Sequence, residues 1–195
     1  MGDDRRRAGR RDGDVLKGLA AGIAGGLIAS VVMNQFQALW SRLSDGEERS
    51  HGAQSMQQGA PGRGVGRGLE ERGGDEERDD ATMRLAAAVS EGVLDRELTR
   101  GQKHAAGTAV HYAFGITTGA LYGVVAEALP GVTAGAGAPF GAAVWLAADE
   151  GVVPLVGLSK SPAEYPPSTH AYSLATHLVY GLTTEIVRRA VRGVL

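Results

Sequence analysis

The sequence predicts an all-α membrane protein: a bundle of four transmembrane helices made of two parallel helix-pair repeats, with an amphipathic surface helix in the first outer loop. Three observations predict this fold. Four apolar runs have about the length that crosses a bilayer, one motif occurs twice, and arginines flank the first and last runs. Charged residues concentrate between these runs, so the mean hydropathy of the whole chain conceals the pattern.

The first predicted span covers residues 15–43 and follows a basic tail at residues 1–14. The other spans are predicted at residues 100–129, 135–158 and 170–195, the last with a basic end. A helix rises about 1.5 Å per residue, so some 20 apolar residues match a hydrocarbon core of about 30 Å. The spans are rich in glycine and alanine, and a soluble helical bundle of that composition is the alternative.

The segment between the first two spans is charged and falls into two parts. Residues 44–80 are dense in Gly, Arg, Glu and Gln, so this polar outer loop buries too little apolar area to fold and is predicted to be disordered. Residues 81–99 have helical apolar spacing, which predicts an amphipathic helix on the membrane surface or on the bundle. Thr99 and Gln102 form a capping-box pattern, so the next helix is predicted to begin near Arg100.

Basic residues near the helix ends predict the orientation of the chain. Lysine and arginine close to a span favour the cytoplasmic side. Arginines precede the first span, and three more follow the last apolar run: Arg188, Arg189 and Arg192. Four crossings then put both termini in the cytoplasm and the loops at residues 44–80 and 159–169 outside. The sequence therefore predicts a multi-pass membrane protein with both termini in the cytoplasm.

A motif in the second span recurs in the fourth. The pattern His-x-x-aromatic-Gly-aliphatic-Thr-Thr starts at His111 and again at His177. The first and third spans correspond more loosely, with Asn34 at about the place of Asp149. We interpret the chain as two copies of a helix pair with the same orientation, related by an axis along the membrane normal. The alternative is an old duplication retained only for packing.

Every span has small residues at four-residue spacing, and polar residues continue this face. Membrane helices pack through small residues, so the face is predicted to meet other helices. A carboxylate at bilayer depth is costly and is normally turned inward and partnered. The polar residues predicted to lie at a similar depth in the outer half are Asn34, His111, Asp149 and His177, with Tyr112, Tyr180 and Glu150 near the same level.

Two histidines and two carboxylates at one depth suit three roles. Proton or cation handling would use Asp149 and Glu150 as the charged groups, with His111 and His177 as relay or ligands. A divalent metal could take the same four side chains as ligands. A structural or assembly protein could use them as a static hydrogen-bonded network that fixes helix packing. The candidates for a proton or ion pathway are Asp149, Glu150, His111, His177, Asn34 and Tyr180.

Composition limits the other function classes. The chain has no cysteine, which excludes disulfides and thiolate metal sites. No nucleophile arrangement is recognisable, so a non-enzymatic role is favoured, and no motif demands a cofactor. The predicted partners are the lipid bilayer and a further copy of the chain, with no nucleic acid.

Several short motifs in the third and fourth spans form one constellation: Trp145, Asp149-Glu150, Pro154, Gly157, Tyr165-Pro166, His170, His177 and Tyr180-Gly181. The constellation resembles the YagU-like family of small bacterial inner-membrane proteins. The resemblance covers most of the chain apart from residues 1–14 and 44–80. That family has no assigned biochemical function, so the resemblance implies location and topology and supplies no mechanism.

Overall fold

The computed structural model describes residues 2–44 and 80–195, and the side chains of residues 13–43 and 80–195. Within these ranges the chain is all-helical, with 89% helix and no strand. The loop predicted to be disordered, residues 44–80, lies outside the described residues except at its two ends. The α-helices are α1 (Gly2–Ser44), α2 (Ala81–Leu94), α3 (Arg100–Ala128), α4 (Ala138–Ala147), α5 (Val153–Leu155) and α6 (Pro167–Val194). Shorter 3-10 segments lie at Pro130–Gly137 and Pro162–Glu164, and a π-helical turn lies at Ala148–Val152.

The helix ends follow local chemistry. Helix α1 already begins at Gly2, so it includes the residues predicted as a tail, and no proline interrupts them. Helix α2 ends at Leu94, before the predicted residue 99, because Asp95 takes a left-handed conformation with φ of 49°. The predicted start of α3 is confirmed: the Thr99 N–H donates to the Gln102 side-chain oxygen at 3.0 Å.

Three segments are long and apolar enough to cross a membrane: Gly13–Leu43, Arg100–Ala128 and Pro130–Leu155. Three of the four predicted spans therefore meet these criteria. Helix α6 falls short by composition, because its length includes polar side chains and the charges of Glu185, Arg188 and Arg189. The chain is consistent with a membrane protein on the three segments alone.

The chain divides into two compact units. The first comprises Met1–Trp40, Tyr112–Val144 and Thr176–Leu195, and the second comprises Ser41–His111 and Trp145–Ala175. The first unit thus holds most of α1 and α4 with the C-terminal parts of α3 and α6. The second holds α2, the first turns of α3, the π-helical turn, α5 and the first turns of α6.

Helices α1 and α3 approach closely in the first unit through facing glycines. A Cβ added to Gly22 would lie 2.3 Å from the carbonyl oxygen of Gly119, and one added to Gly26 would lie 2.2 Å from that of Gly115. Real Cβ atoms essentially never lie within 3.0 Å of another heavy atom, so only glycine permits this backbone contact. Residue numbers rise along α1 while they fall along α3 in these contacts, so the two helices are antiparallel.

Helices α4 and α6 pack in the same manner in the first unit. A Cβ on Gly137 would lie 2.2 Å from the Gly181 carbonyl oxygen, and one on Gly141 would lie 2.1 Å from the His177 carbonyl oxygen. The glycine part of each predicted small-residue face thus lies between helices. Next to these contacts, the ring of Phe140 stacks on Tyr122 with centroids 4.2 Å apart.

The glycine contacts also fix a register between the two helix pairs. Gly26 packs against Gly115, four residues after His111, and Gly137 packs against Gly181, four residues after His177. The two glycines therefore contact the repeated motif at the same position. Asn34 follows Gly26 by eight residues, and Trp145 follows Gly137 by eight residues. Packing therefore aligns Asn34 with Trp145. The looser sequence correspondence of Asn34 with Asp149 is displaced from this by one helical turn. The duplication itself stays a prediction.

Candidate functional site

The π-helical turn of the second unit carries two carboxylates that both bond to the first turns of α6. His170 Nδ1 lies 2.6 Å from Glu150 Oε1. The Ser173 hydroxyl donates a hydrogen bond to Asp149 Oδ2. The predicted need for partners at Asp149 and Glu150 is therefore met, although by residues outside the predicted set. We call Glu150 and His170 the acid–histidine pair.

Pro154 explains the wide turn that presents these carboxylates. Proline has no N–H, so the carbonyl of Glu150 has no donor four residues ahead. The chain widens instead, and the Val153 N–H donates to the carbonyl oxygen of Ala148, five residues back. Helix α5 is short and ends at Leu155. Such π-helical turns occur frequently at functional sites.

The acid–histidine pair holds one proton between its two members. His170 Nε2 lies 3.1 Å from the Pro162 carbonyl oxygen, which only accepts, so Nε2 carries a hydrogen and donates it. Nδ1 must then either donate to a Glu150 carboxylate or accept from a protonated Glu150 carboxyl group. In both cases one proton lies on the line between Nδ1 and Oε1.

Water can reach this pair in part. The side chain of His170 is 26% exposed and that of Glu150 is 13% exposed. His170 lies outside the three candidate spans. The hydrogen bond to Glu150 raises the pKa of His170 above its ordinary value. The imidazolium form therefore persists to higher pH than in a free histidine.

The predicted candidate residues divide between the two units. In the first unit, the Asn34 amide donates to the Tyr112 hydroxyl at 3.2 Å. The Tyr180 hydroxyl donates to the Gly115 carbonyl oxygen at 2.6 Å, which ties α6 to α3. His177 is buried in this unit, and His111 is half-buried in the second unit with Asp149 and Glu150. The single layer of all these residues stays a prediction.

The two partners on α6 are not among the candidate residues predicted from the sequence. His170 and Ser173 precede His177 by seven and four residues, so all three lie on one side of a helix. That spacing was the available signal. It did not reveal which of the three would face Asp149 and Glu150, because the pairing depends on how the chain turns between the two helices.

A second polar cluster, in the first unit, surrounds a fully buried carboxylate. Glu185 is 0% exposed. Arg188 Nε donates to Glu185 Oε2 at 2.7 Å, and Arg189 Nε donates to Glu185 Oε1. The guanidinium of Arg188 also lies 5.9 Å from the centre of the Tyr122 ring. These charges are thus paired within the last turns of α6.

The same cluster extends to α1 and α3. Arg192 Nε donates to Glu127 Oε1 at 2.8 Å, and Arg192 Nη2 donates to Asp14 Oδ1 at 2.8 Å. One arginine of α6 therefore binds carboxylates on both other helices. We call the whole group the arginine cluster: Glu185, Arg188, Arg189, Arg192, Glu127 and Asp14.

The described residues contain no group of three or more His, Asp or Glu side chains that could hold a metal ion. The predicted set of His111, His177, Asp149 and Glu150 therefore has no support as a metal site from this part of the chain.

Residues 94–186 match the model of one protein family. It is described as "Protein of unknown function (DUF1440)". The match spans a little under half of the chain, and it includes the acid–histidine pair, Asp149, Ser173 and Glu185 but neither α1 nor α2. No curated protein and no solved structure matches the chain. The narrower resemblance to the YagU-like family stays a prediction, and the family description names no activity.

Proposed function

We propose that this chain is a multi-pass protein of the bacterial inner membrane that exchanges protons through its acid–histidine pair. The membrane assignment is supported first by the three segments of suitable length and hydropathy. The proton assignment is supported by the shared proton of Glu150 and His170.

The distribution of side chains on α6 supports a lipid surround. Its buried residues in the first unit include Thr176, Thr184 and Glu185, while Leu182 and Ile186 are exposed at 38% and 63%. Soluble proteins have the opposite arrangement, with apolar residues inside and charged ones outside. Large apolar side chains are exposed along α1 and α3 too: Ile23, Leu27, Ile28, Val31, Phe114, Leu121 and Val125.

The ion pair between Asp14 and Arg192 supports four crossings. It joins the first part of α1 to the last turn of α6, so the two ends of the chain meet on one side of the first unit. An odd number of crossings would separate them. With three candidate spans, the fourth crossing is then the apolar run of α6 at residues 171–187.

The basic ends of the chain favour the cytoplasmic side for both termini. This topology puts the start of α6, with His170, at the outer surface. For protons that cross the membrane, the acid–histidine pair would then be the outer entry, in contact with the external water. Histidine is suited to it because imidazole gains and loses its proton near physiological pH, and the Glu150 carboxylate lies within hydrogen-bonding distance of that ring.

The test is proton uptake by proteoliposomes that contain an internal pH dye and are subjected to a potassium diffusion potential. Glu150→Gln and His170→Gln are each expected to lower the initial rate at least about tenfold, since each removes an acid–base group. Matched controls are Glu91→Gln and His104→Gln, which change exposed residues outside the pair. Unchanged rates in both pair variants, with the protein still folded, would contradict proton exchange.

The alternative function is that of a structural or assembly protein. The arginine cluster and the glycine contacts favour it, because both fix helices without needing any mobile proton. Under this alternative, Glu150→Gln and His170→Gln would change the free energy of unfolding and leave the proton permeability of proteoliposomes at the level of protein-free vesicles, as in the wild type.

A further inference from the structure

Helix α2 belongs to the second unit and packs within it through one face of small residues. Its buried residues are Ala81, Ala86, Ala87 and Ser90. Arg84 Nη1 donates to the Leu158 carbonyl oxygen at 3.3 Å. A Cβ on Gly107 would lie 2.8 Å from Met83 Cγ, so α2 also touches α3. Helix α2 is thus in contact with α3 and with the segment that follows α5.

Within the described residues, the opposite face of α2 is apolar and exposed. It consists of Leu85, Ala88, Val89, Gly92 and Val93, and the exposed Glu91 borders it, three residues after Ala88. Leu85 is 39% exposed, Val89 50% and Val93 75%. A helix on the surface of a soluble protein turns charged residues to the solvent, and a helix apolar on both faces is normally enclosed. This face therefore lacks the chemistry of a water-facing surface.

The contacts of α2 give its level relative to the candidate spans. Gly107 lies seven residues into the segment Arg100–Ala128, which is about 10 Å along a helix. Leu158 follows the end of the segment Pro130–Leu155 by three residues. Both contacts lie near the ends of apolar segments, where a bilayer passes from hydrocarbon to headgroups.

The second unit has further uncovered apolar side chains at this level. Val152, Leu155 and Val156 are 57%, 85% and 60% exposed at the end of the third candidate span. Helix α2 presents its own exposed apolar face in the same unit, and its Arg84 bonds to the Leu158 carbonyl oxygen, three residues after Leu155. A lipid phase is the occupant that suits both, since it needs no specific shape and no polar partner.

We propose that the face formed by Leu85, Val89 and Val93 lies in the bilayer interface and contacts lipid acyl chains. Helix α2 would then be fixed to the protein on one side and embedded in lipid on the other. An interfacial helix of this kind buries its apolar face about 5–10 Å into the boundary between headgroups and acyl chains. This inference rests on the proposed membrane location and is independent of proton exchange.

Because the natural chain has no cysteine, single-cysteine variants can be spin-labelled at chosen sites of the full-length protein. The variants are Leu85→Cys and Val89→Cys on α2, Leu121→Cys as the lipid control in a candidate span, and Glu97→Cys as the water control. Collision rates with oxygen and with a water-soluble nickel chelate are measured in vesicles of phosphatidylethanolamine and phosphatidylglycerol. All four positions are exposed, so the labels are expected to leave the fold intact, which circular dichroism checks.

The expected result is an oxygen-to-nickel ratio at positions 85 and 89 at least about threefold above that at position 97 and close to that at position 121. Ratios at 85 and 89 equal to that at 97, with 121 in lipid, would overturn the inference about α2 and leave the membrane location intact. A low rate with both probes at 85 and 89 would also overturn it, because protein would then cover this face. A high nickel rate at position 121 would instead contradict the membrane location itself.

Discussion

The arginine cluster of the first unit and the acid–histidine pair of the second each pair a carboxylate with a basic side chain, but the basic side chain differs. Glu185, whose side chain is 1% exposed, bonds to two arginines, which keep their protons throughout the working pH range. Glu150 is 13% exposed and bonds to His170, which gains and loses its proton near neutrality. The partner, more than the carboxylate, therefore distinguishes a permanently charged ion pair at Glu185 from the proton exchange that we propose at Glu150.

The largest effect is expected from Glu185→Gln. The substitution removes the nearer charge partner of the buried Arg188 guanidinium and leaves Glu127 at 3.8 Å, and breaking a buried ion pair typically costs about 3–5 kcal/mol of unfolding free energy. Denaturant unfolding in detergent micelles measures this loss. Glu91→Gln is the control and is expected to change the unfolding free energy by less than about 0.5 kcal/mol, because Glu91 is exposed. If both variants lower the unfolding free energy by the same small amount, the arginine cluster does not stabilise the fold as described.

A smaller loss is expected from Gly18→Ala, which disturbs the same cluster from α1. The added Cβ would lie 2.4 Å from Glu127 Cγ and 2.7 Å from the Gly123 carbonyl oxygen. Overpacking of this kind costs about 1–3 kcal/mol. Gly13→Ala is the matched control, with nothing within 4 Å, and is expected to stabilise α1 slightly. If both alanines stabilise the protein equally, α1 does not approach α3 as described.

In the second unit, Ser173→Ala tests the carboxylate next to the pair. The variant removes the hydroxyl that donates to Asp149, and a hydrogen bond to a charged group contributes about 1.5 kcal/mol or somewhat more. Thermal or denaturant unfolding in micelles measures the loss. Ser159→Ala is the control, because its hydroxyl donates to the neighbouring carbonyl oxygen of Lys160 and not to a carboxylate. A neutral Ser173→Ala would show that Asp149 is not held by α6.

The smallest effect is a pH dependence above pH 6.5 that comes from His170 in the second unit. Because the pKa of His170 is raised in the folded protein, its pairing with Glu150 stabilises the fold fully below the ordinary value of 6.5. That contribution is lost as the pH rises through the raised pKa. We expect the unfolding free energy to fall by less than about 1 kcal/mol over this window, and His170→Gln to abolish the fall. A fall of the same size in His170→Gln would assign it to another group.

Much of the fold was predictable from local pattern. The glycine spacing of α1 and α3 predicts a helix contact, and Thr99 with Gln102 predicts a helix start, because both signals lie within a few residues. The internal pairs of the arginine cluster follow the same rule, since Arg188 and Arg189 are three and four residues from Glu185. Asp14 and Glu127 could not be assigned to it, because their positions depend on the packing of three helices.

The candidate site was predictable in part. The cost of carboxylates in an apolar run correctly indicated that Asp149 and Glu150 need partners. The pairing of His170 with Glu150 depends on the π-helical turn and on the loop around Pro162. Hydropathy and spacing do not encode these two features, and the position of Pro154 is the one sequence signal for the turn.

The most direct test of the shared proton is the titration of His170 followed by nitrogen NMR. Histidine-labelled protein in lipid nanodiscs gives signals from the five histidines of the chain, and His170→Gln assigns the one of interest. In the wild type, we predict a His170 pKa above 6.5, with hydrogen on Nε2 throughout, and in Glu150→Gln a lower pKa. An identical titration midpoint in the wild type and in Glu150→Gln would contradict the shared proton.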